Sequence, residues 1–202
     1  IWNVPHVGLI LYCVGWALGL QGWLVNVLTV VRDPHGRITF PALSVLFSSF
    51  WLLGGLVYYT TQHFFSSEPK IPMLALVVGF GAQLLIGVMG YMLPTTMGGG
   101  PSAVRAGLRE YNRWGLGRSA FVNGGLALWL ATSNSLIMVA ASLLCLGSMA
   151  VFPILTARAV KAQKAVLLKK AEGPAPTSTA DWDQAWVALA VLIILGGLSL
   201  IL

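Results

Sequence analysis

Apolar residues in this chain fall in continuous runs, not in the two-residue alternation of a barrel strand. Most of these runs are close to the roughly 20 residues a helix needs to cross a hydrocarbon layer. Read in order, they predict spans from Val7 to Val31, Phe40 to Phe64, Ile71 to Pro94, and Ser119 to Leu130 with an extension to Thr132. A fifth follows from Leu136 to Ala157, and a sixth begins near Trp186 and reaches Leu202. The fourth run is short and has to borrow from its flanks. The expected fold is an all-α integral membrane protein, a bundle of six transmembrane helices with a short amphipathic cytoplasmic helix.

That short helix follows the third span. The chain leaves an apolar helix at Leu93-Pro94, crosses Gly98, Gly99 and Gly100, and enters the stretch PSAVRAGLREY. Proline suits a first helical turn and serine caps one, so the helix is expected to start at Pro101 or Ser102. Arg105, Arg109 and Arg113 recur at i, i+4 and i+8 and share a face, with Val104, Leu108 and Tyr111 on another. Such a helix is expected to lie along the membrane surface with its arginines toward water or lipid phosphate. Three successive glycines point to a backbone turn, or a close approach, that a Cβ would block.

Beyond the fifth span, residues 157–171 keep helix-forming character, with Lys161, Lys164 and Lys169 near the polar side. Gly173, Pro174 and Pro176 then break the helix. The organisation read from this is a five-span bundle over 1–172, a cytoplasmic linker over 173–183, and a sixth transmembrane helix over 184–202. Trp182 and Trp186 stand where an interfacial aromatic anchor is expected.

Composition agrees with that class. Hydrophobic residues make up 57% and charged residues only 9%, with mean hydropathy +0.81, whereas a soluble domain carries about a quarter charged residues. The net charge of +6 therefore reports topology, not nucleic-acid binding. Eleven of the twelve Lys and Arg residues fall between alternate spans: Arg32 and Arg37, then Arg105, Arg109, Arg113 and Arg118, then Arg158, Lys161, Lys164, Lys169 and Lys170. Lys70 alone falls on the other side. The positive-inside rule assigns the first set to the cytoplasm, giving a multi-pass protein of the cell inner (cytoplasmic) membrane with both termini extracytoplasmic. Cys13 and Cys145 lie inside apolar runs, so no disulfide framework is expected. No cleavable signal peptide is visible ahead of the first span, and the chain reads as an excerpt from something longer.

Polar residues inside spans are the next place to look, because lipid penalises them. Gln21, Asn26, Gln83 and Asn123 are expected to hydrogen-bond between helices, and Gly15 with Gly19, and Gly54 with Gly55, to give small faces for close packing. No Asp, Glu, Lys or Arg stands mid-span, which argues against a proton pump or voltage sensor. His35 reads as a turn residue in RDPHGR, whereas His6 opens the first span and His63 closes the second. A short turn joins these spans, so His6 and His63 are expected at one extracytoplasmic level, with Met73 near them. Imidazole and thioether suit copper, and a His pair or His/Met pair can hold haem iron. His6 and His63 are thus candidate cofactor-binding residues, and His6, His63 and Met73 candidate metal ligands, for haem b or copper. The alternative is ordinary interfacial histidines. No GxSxG, HExxH or phosphate loop supports hydrolysis.

One segment carries a resemblance. Gln83, Gly87, Tyr91, Leu93, Pro94, Gly98, Gly99, Gly100, Pro101, Val104, Arg105, Val122, Asn123 and Gly124 form a pattern that resembles the C-terminal part of the multi-span membrane region of bacterial copper oxidase and copper nitrite reductase-like proteins. The resemblance implies a respiratory-chain, electron-transport membrane module that anchors an extracytoplasmic copper domain and passes electrons to it. Its partners would be the lipid bilayer and a C-terminal cupredoxin domain or membrane-complex subunits, with no nucleic acid. These 202 residues contain no cupredoxin ligands. Any oxidoreductase activity would therefore use catalytic copper held outside them. The alternative is a non-catalytic scaffold or accessory subunit of a larger membrane complex.

Overall fold

The structure, a computed structural model, describes residues 4–32, 38–65, 68–174 and 181–201. His35, Arg37 and the middle of the 173–183 linker lie outside the described residues. The described residues are all-helical: α1 (Val4–Arg32), α2 (Phe40–Phe65), a π-helical stretch (Ala75–Ala82) running directly into α3 (Gln83–Met97), α4 (Gly100–Tyr111), α5 (Gly115–Ala131), α6 (Ser135–Ala150), α7 (Phe152–Leu167) and α8 (Trp182–Ile201).

Among the described residues five stretches are long and apolar enough to cross a membrane: His6–Thr29, Phe40–Phe65, Ala75–Met97, Ser135–Leu167 and Trp182–Ile201. α5 has 17 residues, about 25 Å at the helical rise, which falls short of a hydrocarbon core of about 30 Å. It nevertheless runs beside α6 and α8. Asn134, just ahead of α6, accepts at Oδ1 from the backbone N–H groups of Leu136 and Ile137, so a side-chain cap closes the tight α5–α6 turn.

Successive long helices alternate in direction, and this gathers the basic residues at one end. α2 and the π/α3 helix are antiparallel. Gly55 lies against Leu76, Gly79 against Trp51, Gly87 against Ser44, and Gly90 against Pro41. The contacts recur one or two turns apart, so small residues let the two backbones approach closely along their length. The π-helical turn widens the backbone where the Trp51 indole crosses Gly79; a Cβ there would sit 2.5 Å from the ring. Across the bundle, Val122, Leu126, Cys145 and Met149 form a buried core, against which Trp51, Val78 and Ile86 pack.

α6 and α7 form one nearly continuous rod from Ser135 to Leu167. Its 33 residues make about 50 Å of helix, some 20 Å more than the thickness of a hydrocarbon layer. The rod is interrupted at Val151, two residues ahead of Pro153, whose nitrogen carries no N–H to donate to the preceding turn. The hydropathy reading, which treats Leu136 to Ala157 as one span, does not register this break.

Three expectations for the basic end are corrected. α3 does not stop at Pro94 but continues through it to Met97. α4 starts at Gly100, and no side chain caps it; Ser102 is already inside the helix. Its buried face is Ala103, Ala106, Gly107 and Tyr111, while Val104 and Leu108 are only half-buried. Alanine and glycine let α4 lie tight along the projecting α7, so its inner face meets protein instead of lipid.

The turn between α3 and α4 carries three consecutive positive φ angles, +67° at Gly98, +93° at Gly99 and +83° at Gly100. A β-branched residue in that region costs on the order of 1–3 kcal/mol. At Gly99 a Cβ would also collide with the Leu167 side chain. Gly99→Val should therefore strongly reduce the yield of folded protein in detergent. Gly147→Ala, on an exposed helical face with nothing within 4 Å, should leave it unchanged; equal yields would reduce the turn to a flexible spacer.

Candidate functional site

Two places collect polar or metal-competent groups, one at each end of the bundle. At the end away from the basic residues, α1 and α2 bring His6 and His63 together, with ring centroids 4.2 Å apart and planes inclined by 37°. Phe64 lies 5.3 Å from the His6 ring and Tyr59 6.2 Å from the His63 ring. The expected neighbourhood of the two imidazoles is thus present. His6 is half-buried and His63 exposed. Met73 stands at the same end ahead of the π-helix and is 61% exposed. Among the described residues no three His, Cys, Asp or Glu side chains cluster.

The spacing discriminates between the two candidate groups. Axial nitrogens on opposite faces of a porphyrin are about 4 Å apart, taking twice a metal–nitrogen bond of roughly 2.0–2.1 Å, and their ring centres lie further out still. Rings 4.2 Å apart are in direct contact and do not fit a haem between them. A small ion held by both rings needs no such separation, and imidazole chemistry suits copper.

The basic end is more heavily built. Gln163 of α7 is fully buried, and its Nε2 donates to the carbonyl oxygens of Pro94 at 2.8 Å and Gly98 at 2.7 Å. Both neighbours are acceptors, so the amide must present its NH2 group to them. One side chain thereby satisfies two of the carbonyls that the end of α3 leaves open. Tyr111 of α4 donates to Thr156 Oγ1 at 3.0 Å and stacks on Phe152 at 5.6 Å, and burial pushes its phenol above the ordinary pKa. Glu110 bridges to Arg158 at 3.1 Å and to Arg113 at 3.4 Å, both exposed pairs of small energetic weight. Arg105 Nε donates to the Pro174 carbonyl at 3.2 Å, and Gly173 packs on Ser102. Arg105 is therefore turned toward protein, contrary to the expectation of water or lipid phosphate.

Arg118 was counted in the sequence as a loop charge, yet it is 5% exposed. Its guanidinium lies 3.7 Å over the Phe40 ring, and Nη1 donates to the Tyr111 carbonyl at 3.1 Å. Gly115, Gly117 and Ser119 around it are small and buried, and that sequence cue marks an arginine tucked under its neighbours. Asn112 Oδ1 accepts from Phe40 N at 2.7 Å, which caps the start of α2 from 72 residues away.

The amides within spans divide. Asn123 Oδ1 accepts from Trp51 Nε1 at 2.9 Å, the interhelical bond expected of it. Gln83 is buried with neither amide atom bonded. Gln21 and Asn26 sit on exposed faces of α1 with no hydrogen bond among the described residues. Their expected helix–helix bonds are not formed within this chain. Neither arrangement contains a nucleophile beside a base.

Comparison with family models, with curated proteins and with solved structures returns no match to this chain.

Replacing Asn112 removes an N-terminal cap, worth about 1 kcal/mol. Asn112→Ala should lower the melting temperature in detergent, and Asn112→Asp, which keeps an acceptor at the same place, should restore most of the loss. Equal melting of the alanine variant and the parent would show that the long-range cap is idle.

Proposed function

We propose that this chain is the membrane module of a redox protein of the copper oxidase or copper nitrite reductase-like kind, a helical anchor that holds an extracytoplasmic copper domain at the membrane. In this reading α5 is the fourth of six crossings, the basic end is cytoplasmic and both termini are extracytoplasmic. The placement of the residues that carry the resemblance supports it. Pro94 and Gly98 receive Gln163, Gly99 admits Leu167, Arg105 ties the linker, Val122 fills the core, Asn123 receives Trp51, and Gly124 admits Leu192. These are joint residues, as expected if what the pattern preserves is an anchor.

His6 and His63 would hold a single copper ion, which supplies one-electron transfer when bound. The chain's own contribution is to keep two imidazoles in contact at the surface that faces the copper domain. A second reading, an accessory subunit packed against a larger complex, is favoured by α1. Gly8, Gly15, Gly19 and Gly22 on this helix have nothing within 4 Å of a Cβ position, leaving small faces open to another helix.

Metal analysis of the detergent-purified chain after copper loading separates the two readings. The redox reading predicts stoichiometric retained copper that is lost in the His6→Ala/His63→Ala double variant, with no haem absorbance. If the parent retains no copper, or the double variant retains as much, the pair is not a metal site and the scaffold reading stands.

A further inference from the structure

Among the described residues six buried side-chain polar atoms lack a partner, and apart from Gln163 Oε1 and Arg118 Nη2 they belong to three residues on neighbouring helices. Both amide atoms of Gln83, the Ser44 hydroxyl and the Ser119 hydroxyl are buried and unbonded. Their residues are 2%, 0% and 3% exposed and come from α3, α2 and α5. Packing register brings them to the same depth. The Cβ position of Gly87 is 2.9 Å from Ser44 Cβ, and Gln83 lies one turn earlier on the same buried face of α3. One turn further, Gly79 packs on both Trp51 of α2 and Leu126 of α5. Trp51 in turn bonds Asn123, whose Nδ2 donates to the Ser119 carbonyl at 2.8 Å. Ser44, Gln83 and Ser119 thus stand about one turn apart in register on three neighbouring helices, on the basic side of the Trp51–Asn123 bond, with Arg118, whose Nη2 is also unbonded, next to Ser119 in the chain.

An unpaired buried amide or hydroxyl costs about 1–3 kcal/mol, and a lipid-embedded bundle offers no bulk water to offset it. Four such atoms on three helices, of which an amide supplies both donor and acceptor, match the two to four partners of a buried water. The surrounding side chains are nearly fully enclosed, which excludes a larger ligand, and no carboxylate stands among them to hold a cation.

We propose that α2, α3 and α5 enclose an internal hydration site in which bound water joins the Gln83 amide to Ser44 and Ser119. The water adds a polar tie to three helices already joined by the Trp51–Asn123 bond and by the core around Val122 and Leu126. This also accounts for a glutamine in mid-span: its amide bonds through solvent where Asn123 bonds directly.

The test is the sign of a substitution. Methionine has the unbranched shape of glutamine without its polar end. If the Gln83 amide is simply unpaired, Gln83→Met removes a cost and the melting temperature in detergent should rise or stay the same, which overturns the proposal. If water bridges it, Gln83→Met should lower the melting temperature. Ser44→Ala/Ser119→Ala should do likewise, and the triple variant should lose less than the two losses combined. Strict additivity would also overturn it. A direct readout accompanies the melts: in isotope-labelled protein, the Gln83 side-chain amide protons should show a cross-relaxation peak to water. A Gln83 amide resolved without that peak contradicts the site.

Discussion

The basic end of this protein depends on one amide. Gln163 projects from the part of α7 that outruns the membrane-crossing length and closes the end of α3 by donating to Pro94 and Gly98. Without it, two buried carbonyls would be left open at a cost of about 1–3 kcal/mol each. The left-handed glycine turn begins at one of those carbonyls, and α4 begins where the turn ends. α4 in turn lies along α7 through alanine, glycine and Tyr111, so the position of this short helix follows from a hydrogen bond made on its neighbour. Asn112 and Arg118, just beyond α4, carry the constraint onward to α2 and α5.

The two outermost helices have a different character. For α1 and α8 only 6% of the most apolar stretch is buried within the chain. α8 is tied to α5 by Leu192 over Gly124 and by the 2.6 Å Thr132–Ser199 hydrogen bond. α1 meets α2 chiefly, and the His6–His63 contact lies at the far end of that pairing. A rigid interior joint and a loosely held outer helix suit an anchor whose edge receives something else, which is the reading proposed above.

Much of the architecture could be read from hydropathy, because a bilayer demands unbroken apolar helices and tolerates few charges. The glycine turn was also legible, since three glycines in a row have few explanations besides backbone conformation. The nearness of His6 and His63 followed from a short connection between antiparallel neighbours. Gln163 was not visible. It sits in a lysine-rich helix, and its value depends on facing a helix end 69 residues earlier, a register that local pattern does not encode. Arg118 was read as a topology charge because a count of basic residues cannot tell a solvated arginine from one stacked on Phe40. The interruption before Pro153 and the tight face of α4 escaped for the same reason: both are set by what packs alongside.

Hydrogen exchange measured by mass spectrometry in detergent tests the dependence on Gln163 most directly. In the parent, amides across the end of α3 and through α4 should exchange slowly as one unit. In Gln163→Ala, protection should fall together from residue 95 to residue 111, while α2 and the α5–α6 pair keep theirs. Unchanged protection in α4 of that variant would contradict the account and show that apolar packing on α7 alone holds the basic end.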